Sequence, residues 1–397
     1  MWLIAGEESD LYWSLASYLT ERGINFAHIR VGHHPDGELK FYWPKLSIFA
    51  HATVLVQLPV GGEAKANCEH NPTDWDQREE TGWGQHDETD WGDHRGKVRD
   101  TSRHQRACHQ TRASEMYISA LSLSREILEH KKKDCKRTAS PASPLIVCCP
   151  YLPYAQNSYL LDALMSGVEL ATIDAHNSHD TRIHNLYPAQ LFADKVREIC
   201  VRGSVGEDVR DCFVFAPDNG ALWRARQIAE ALGAPLLTAR KQRYADDSCS
   251  VIIAEDQFAY PSLPTHSVSP VYPNPPISST SPTFFFQPTY PDPPTSLASF
   301  VLSRDVHKTC IIVDDIISSG NTINAAIGTI KGAGIQRIIL VITHKILEDI
   351  SPIINQVDAF ITTNTLGLAS KGNEHPINIV PFMVEKLEQK RRHSIKN

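Results

Sequence analysis

Short apolar runs alternate with amphipathic segments along most of the chain. The apolar runs predict strands at Trp2–Ala5, Phe26–Val31, Ala52–Leu58, Leu145–Cys149, Leu170–Ile173, Cys212–Ala216, Leu236–Thr238, Thr309–Val313, Ile338–Ile342 and Ala359–Thr362. The amphipathic segments predict helices at Leu11–Arg22, Ser114–His130, Ser158–Ser166, Ala221–Leu232, Thr322–Lys331 and Val384–Arg392. This alternation predicts an α/β fold with mostly parallel sheets, arranged as two similar halves that bind ligands at the carboxyl ends of their strands.

Two segments interrupt the alternation. Gly61–Ala113 is polar and contains an eight-residue repeat that places Trp75, Trp83 and Trp91 in equivalent positions, and Asp256–Ser299 is dense in Pro, Ser and Thr. We predict that both are disordered insertions, because neither has the periodicity of a core. Two alternatives stay open: a metal site built from the Cys and His residues of the first, whose spacing matches no paired ligand pattern, and a polyproline partner-binding segment in the second.

Composition narrows the class of protein. The chain has 397 residues, 42% of them hydrophobic, which gives room for two ordinary globular domains. A formal net charge of −7 argues against a general nucleic-acid-binding protein. The N-terminal sequence lacks the pattern of a signal peptide, no stretch is apolar enough to span a membrane, and the nine cysteines are scattered. We therefore expect a cytoplasmic protein with reduced thiols that binds neither membrane nor nucleic acid.

The most informative stretch for function is residues 311–322, IIVDDIISSGNT. A β-branched run ends in Asp314 and Asp315, and a small polar turn then leads into a helix. Backbone N–H groups and hydroxyls in such a turn bind phosphate oxygens, and Gly320 lets the backbone approach the ligand closely. The carboxylate pair suits ribose hydroxyls or a divalent ion. An Asp that merely ends a strand is the alternative, but the full pattern favours a phosphate site.

This stretch resembles the phosphoribosyl-pyrophosphate loop of phosphoribosyltransferases and of ribose-phosphate pyrophosphokinases. Further motifs are similar to those of the second family, in family order: HPDGE at 34–38, PYLPYA at 150–155, IDAH at 173–176, NLY at 185–187, APDNG at 216–220, RKQR at 240–243, TH at 343–344 and TNT at 363–365. The resemblance implies two phosphoribosyltransferase-like domains, each a small, mostly parallel, doubly wound sheet flanked by helices. We expect these domains at residues 1–185 and 186–380, followed by a C-terminal helix and tail at 381–397.

The resemblance also implies a reaction, the transfer of the diphosphoryl group of ATP to ribose 5-phosphate for nucleotide biosynthesis, with Mg²⁺ as cofactor. Lys241 and Arg243 would be catalytic, as cations that close over the polyphosphate, and Asp174 and His176 would bind the metal. The ribose 5-phosphate residues would be Asp218, Asp314, Asp315, Ser318, Ser319, Gly320, Asn321 and Thr322. Without the resemblance, His176 would be interpreted as a histidine that simply ends a strand.

On the ATP side, the resemblance assigns Asp36, Glu38 and Gln156, and it implies a homo-oligomer because Asp36 and Glu38 would reach the nucleotide of a neighbouring subunit. Several departures fall on this side: Gln156 stands where the family has Arg, and Trp223 stands where it has Lys. The alternative function is therefore a catalytically weak homologue that binds phosphoribosyl ligands and regulates or assembles with a true synthetase. A phosphoribosyltransferase is a third reading, which the two-domain length disfavours.

Overall fold

The structure is a computed structural model. It describes residues 1–34, 38–59, 101–138, 143–153, 155, 157–176, 180–203, 211–243, 249–259, 309–317, 320–346, 350–366 and 372–396, and of these it describes only the backbone at 46, 101–112, 202–203, 240–243, 249–259 and 395–396. Within these ranges, no helix combines the length and the apolar character needed to cross a membrane.

Seven strands form the first sheet, in the order β3-β2-β1-β4-β5-β6-β7. They are β1 (Trp2–Gly6), β2 (Phe26–His33), β3 (Leu39–Tyr42), β4 (Val54–Gln57), β5 (Ile146–Cys149), β6 (Glu169–Ile173) and β7 (Ile183–Leu186). Strands β2, β1, β4, β5 and β6 run parallel, and β3 is antiparallel to β2. Its helices are α1 (Asp10–Glu21), α2 (Thr101–Thr138) and α3 (Ser158–Met165), with a 3-10 helix at Leu46–His51.

The second sheet has the same pattern of connections, in the order β10-β9-β8-β11-β12-β13-β14. Its strands are β8 (Cys212–Ala216), β9 (Leu236–Arg243), β10 (Cys249–Ala259), β11 (Thr309–Ile317), β12 (Arg337–Lys345), β13 (Ala359–Thr363) and β14 (Glu374–Ile377). All neighbours are parallel except β9 and β10. The remaining helices are α4 (Ala189–Gly203), α5 (Leu222–Leu232), α6 (Asn321–Gly332), α7 (Ser351–Ile354) and α8 (Val380–Lys396).

Alternate residues of the second sheet enter different apolar clusters, as expected for strands covered on both faces. On β11, Cys310 and Ile312 pack with Ile327 of α6, whereas Ile311 and Val313 belong to the cluster that contains residues of α4 and α5. Side chains of β11 therefore alternate between two helical layers. The apolar run ends near the carboxyl end of β11, where Asp314 and Asp315 follow Val313.

The chain divides into two compact units. The first contains Met1–Thr172, Thr181–His184 and Val384–Asn397, and the second contains Ile173–Asp180 and Asn185–Met383. The segment that carries Asp174 and His176 therefore counts with the second unit, although the preceding strand β6 belongs to the first sheet. The C-terminal helix begins in the second unit and ends in the first.

Every predicted strand and helix is present, with shifted ends. The strands β3, β7, β10 and β14 and the helices α4 and α7 are absent from the predictions, mostly because they are short or polar. Helix α2 begins at Thr101, inside the segment predicted to be an insertion, and β10 extends into the second insertion. The rest of both insertions lies outside the described residues. The prediction that Lys241 and Arg243 follow a strand is wrong, since both lie within β9, opposite Val251 and Cys249 of β10.

Candidate functional site

Charged side chains of the second unit gather at the carboxyl ends of its central strands. Strand β11 lies between β8 and β12, and all three run parallel, so the residues that follow them meet at one edge. The cluster consists of Asp174, His176, Arg224, Asp315, Thr343 and His344, with Asp218 and Asp314 beside it. Buried charge of this density is uncommon unless it serves a function.

Arg224 is the centre of the cluster, and its side chain is almost fully buried. Its Nε donates to Asp174 at 2.6 Å, and its Nη2 donates to Asp315 Oδ2 at 3.1 Å. The same guanidinium donates to the carbonyl oxygens of Gly220 at 2.8 Å and Ala175 at 2.9 Å. It therefore fixes both carboxylates and the backbone between α5 and the 173–176 segment. Sequence reasoning did not assign a role to Arg224. Arg224 is the third residue of α5, which follows the turn that contains Asp218. This position was the available sequence signal for a role in the site.

Asp174 is held as a buried anion. Its backbone is left-handed, with φ of 48°, a conformation that Asp adopts more readily than most residues. One carboxylate oxygen accepts from Arg224 and the other from the hydroxyl of Thr343. Burial raises the pKa of Asp174 to about 6, against the opposing charge of Arg224. With 1% of the residue exposed, Asp174 is poorly suited to bind a metal directly.

Asp315 and His176 form a second pair. The distance from His176 Nδ1 to Asp315 Oδ2 is 2.5 Å, and the His176 side chain is 50% exposed. Burial acts to raise the pKa of Asp315, but the bond to His176 and the charge of Arg224 outweigh it and lower the pKa to about 2. The same bond raises the pKa of His176. Because Nδ1 is directed at the carboxylate, the other ring nitrogen is left for a ligand, as in carboxylate-oriented metal-binding histidines.

Asp314 differs from its neighbour. Asp315 makes ion pairs with Arg224 and His176, whereas Asp314 makes none within the described part of the chain. Its Oδ1 accepts from the backbone N–H of Asp315 at 2.9 Å. Burial raises the pKa of Asp314, and the negative charges of Asp315 and Asp218 raise it further. A cation or a set of hydroxyl donors at this point would stabilise the carboxylate that the protein leaves poorly compensated.

Gly320, whose φ is 76°, immediately precedes α6. A Cβ at Gly320 would lie 2.7 Å from Ile353 Cδ1, so this position combines left-handed backbone with close packing. Gly320 is the N-cap of α6 and gives it no side-chain cap. Asn321 and Thr322 form the first turn of that helix, whose N-terminus favours anions.

His344 was also missed as a site residue. It is 3% exposed, its Nε2 lies 3.0 Å from the carbonyl oxygen of Ile173, and its Nδ1 lies 2.9 Å from Thr365 Oγ1. A carbonyl oxygen can only accept, so Nε2 carries a proton. Burial lowers the pKa of His344 to about 4. The ring thereby holds the backbone that leads into Asp174.

Several predicted site residues are placed elsewhere or lie outside the described part. Asp36, Gln156, Ser318 and Ser319 are outside the described residues, and only the backbone is described at Lys241 and Arg243. Glu38 is exposed in the first unit. Asp218 lies after β8 and accepts from the backbone N–H of Ala221 at 3.0 Å, in the turn that starts α5.

A family model and a solved structure show what the domain type and the fold resemble. Residues 183–365 match the model of the phosphoribosyl transferase domain, and these residues include β8 to β13 of the second sheet and most of its site. A solved structure titled phosphoribosylpyrophosphate synthetase, from Mycobacterium smegmatis, superimposes over 98% of both chains with a TM-score of 0.55 at 16% identity. This likeness confirms the predicted fold of two mostly parallel α/β sheets.

Curated relatives give a more specific similarity. The ribose-phosphate pyrophosphokinase of Thermosipho africanus is 25% identical over 235 residues, which cover 54% of this chain and 57% of the relative. That of Pyrococcus abyssi is 26% identical over 243 residues, which cover 56% of this chain and 65% of the relative. The chain is therefore similar to ribose-phosphate pyrophosphokinases, and it spans 57% and 65% of the length of these two relatives.

Proposed function

We propose that the protein transfers the diphosphoryl group of ATP to the anomeric hydroxyl of ribose 5-phosphate, releasing AMP and 5-phosphoribosyl 1-pyrophosphate. The observation that carries the proposal is the edge formed by β8, β11 and β12. There a glycine-led helix N-terminus, a poorly compensated Asp314 and the oriented His176 occur together. Sugar phosphate, divalent ion and polyphosphate are the ligands that this combination of groups suits.

The turn at 318–322 would bind the 5-phosphate, and Asp314 would accept hydrogen bonds from ribose hydroxyls. Gly320 supports this role because its backbone conformation and its contact with Ile353 leave no space for a side chain. Asp315 would act through other groups, since its Oδ2 is already engaged by Arg224 and His176. The two adjacent carboxylates thus have different roles, one toward the sugar and one toward the protein.

Mg²⁺ fits part of the predicted ligand set. His176 fits, because Asp315 fixes its ring and half of the side chain is accessible, and Asp218 and Asp314 supply oxygen donors at the same edge. Asp174 does not fit as a direct ligand, since Arg224 and Thr343 occupy its carboxylate. The described residues contain no cluster of three or more His, Cys, Asp or Glu suited to a metal. This agrees with Mg²⁺ held largely by water and ligand phosphates. When bound, the ion would neutralise charge on the transferred group.

Lys241 and Arg243 would stabilise the polyphosphate in the transition state. Both lie on β9 near its hairpin with β10, rather than in an isolated loop. A two-stranded hairpin can carry cations toward a ligand as one unit, and interactions made only in the transition state raise turnover without tightening ground-state binding.

Asp36, Glu38 and Gln156 remain our proposed ATP contacts, and a homo-oligomer remains part of the proposal. The exposed Glu38 is compatible with a contact to a neighbouring subunit. Most of the departures from the family pattern fall on this ATP side, so the nucleotide step is the part of the proposal that needs the most direct test.

The test is AMP release by the purified full chain with ATP, Mg²⁺ and ribose 5-phosphate. We expect AMP and phosphoribosyl pyrophosphate in equal amounts, and Asp314→Asn should lower the rate about tenfold or more, since a hydrogen bond to a charged group contributes about 1.5–3 kcal/mol. Asp194→Asn, an exposed substitution on α4, is the control and should retain full activity. Normal ribose 5-phosphate binding without AMP release would instead support the catalytically weak, regulatory homologue.

A further inference from the structure

Two cysteines lie side by side in the second unit. The Sγ atoms of Cys200 and Cys212 are 3.7 Å apart. Cys200 is in the last turn of α4, and Cys212 is the first residue of β8. Both are buried in the apolar cluster that α4 and α5 form against the sheet. Both are free thiols in this structure.

This geometry distinguishes the pair from the other described cysteines. Cys148 and Cys149 are adjacent on β5, so their side chains point to opposite faces of the sheet. Cys310 is equally buried but belongs to the cluster on the other face of the second sheet, with Phe213. Only Cys200 and Cys212, among the described thiols, share a contact. A disulfide requires the two sulfur atoms to approach from 3.7 Å to about 2.05 Å.

We propose that Cys200 and Cys212 are a reversible dithiol–disulfide pair, a modification site that tethers the end of α4 to the start of β8. The proposal is independent of the proposed function, since it rests on the thiols alone. With two sulfur ligands and no third His, Cys, Asp or Glu among the described residues, the pair does not form a tetrahedral metal site.

The two thiols differ in pKa, so one of them is the better attacking group in thiol–disulfide exchange. The hydrogen bond with Cys212 and the charge of Arg337 lower the pKa of Cys200 to about 7, although burial opposes this. The bond to Cys200 raises the pKa of Cys212. Cys200 is therefore the better nucleophile near neutral pH. Cys200 is fully buried, so an oxidant has to reach it through transient opening of the end of α4.

The oxidant is a small-molecule disulfide, RSSR. The Cys200 thiolate attacks one sulfur of RSSR, forming a mixed disulfide and releasing one thiolate, RS⁻. The sulfur of Cys212, losing its proton, then attacks the Cys200 sulfur and releases the second thiolate. In sum, two protein thiols and RSSR give one protein disulfide and two RSH, so two electrons and two protons pass to the small disulfide.

The experiment uses the reduced full chain equilibrated with mixtures of oxidised and reduced glutathione. After the remaining thiols are alkylated, digestion without reductant and mass analysis identify linked peptides. We expect a Cys200–Cys212 linkage that is lost with added reductant, while Cys135 stays available for alkylation. The bridge would close residues 200–212 into a loop and so restrict the unfolded chain. The oxidised protein should therefore melt several degrees higher than the reduced protein.

Two variants test whether oxidation is specific to Cys200 and Cys212 or common to the thiols of the protein. Cys310→Ala removes an equally buried thiol of the same sheet and should retain the linkage, whereas Cys212→Ala should leave only a mixed disulfide at Cys200. Complete alkylation of both Cys200 and Cys212 in wild-type protein at the most oxidising glutathione mixture would overturn the proposal. A linkage from Cys200 to a cysteine other than Cys212 would overturn it as well. All of these readouts are covalent, so they do not depend on enzymatic activity.

Discussion

The two sheets share one strand order but differ at their carboxyl edges. In the first sheet, the position of β11 is taken by β4, which ends at the fully buried Gln57. The amide of Gln57 donates to the carbonyl of Leu58 at 2.9 Å and accepts from the hydroxyl of Ser119 at 2.8 Å. The corresponding edge of the second sheet holds the charged cluster around Arg224. The same scaffold therefore carries a neutral, satisfied network in one unit and buried charge in the other.

This difference indicates that the candidate functional site lies in the second unit rather than in the first. A neutral hydrogen-bonded network adds stability at little cost, whereas burying several charges costs desolvation energy that their mutual attraction only partly offsets. Buried ion pairs are thus a poor means of stabilising a domain, and perturbed carboxylates such as Asp174, Asp314 and Asp315 are more often functional. The comparison predicts that substitutions at the second edge have larger consequences than substitutions at the first.

The largest effect is expected from Arg224→Met. This change leaves two buried carboxylates, Asp174 and Asp315, without their shared cation, and we expect a loss of about 3–5 kcal/mol of unfolding free energy. Urea denaturation measures it. Gln57→Met in the first unit is the matched control and should cost only about 1–2 kcal/mol. Similar losses in both variants would remove the contrast between the two edges.

Lys241→Ala should act on turnover rather than on stability. If this residue stabilises the transferred group, turnover falls by roughly 10²-fold, about 2.7 kcal/mol at the barrier, while ribose 5-phosphate affinity changes little. Steady-state kinetics and calorimetry give the two quantities separately. Lys132→Ala, at an exposed side chain of α2 in the first unit, serves as the control. Unchanged turnover in the Lys241 variant would exclude the β9–β10 hairpin from the mechanism.

His344 predicts a pH dependence of stability in the second unit. Its folded pKa of about 4 lies below the ordinary value of 6.5, so the neutral ring contributes stability above pH 6.5 that is lost as the pH falls toward 4. Between pH 7.5 and 5 the loss should be about 2 kcal/mol. His344→Gln cannot titrate, so its urea stability should fall less than that of the wild type over this range. Parallel pH profiles would contradict a buried neutral histidine.

The smallest predicted effect concerns the turn into α6. Gly320→Ala places a Cβ at left-handed φ and against Ile353, which should cost about 1–2 kcal/mol of stability and weaken ribose 5-phosphate binding. Gly328→Ala, in the same helix with open space around it, should instead stabilise by up to about 1 kcal/mol. Calorimetric titration distinguishes the two variants. Undiminished binding by a folded Gly320→Ala protein would argue against a phosphate at this turn.

Sequence patterns predicted most elements because apolar periodicity is a local property. Strand β11 was visible as a β-branched run, and α6 was visible from its spacing and from the glycines that follow it. Elements that depend on their neighbours were not visible. The edge strand β10 is specified by pairing with β9, and β14 is a short polar strand stabilised by its place beside β13.

The residues of the candidate site also fall into two groups, those that the sequence pointed to and those whose pairing only the structure shows. The sequence alone singled out Asp314, Asp315 and the polar residues that follow them, because their order is typical of a phosphate-binding turn, and this assignment stays a prediction. It could not show that Asp315 faces His176, 139 residues away, or that Arg224 neutralises Asp174. Nor could it show that the sulfur atoms of Cys200 and Cys212 touch. Such pairings are decided by parallel strands that end at one edge and by helices that pack on one face, and only the tertiary structure brings those groups within a few ångströms.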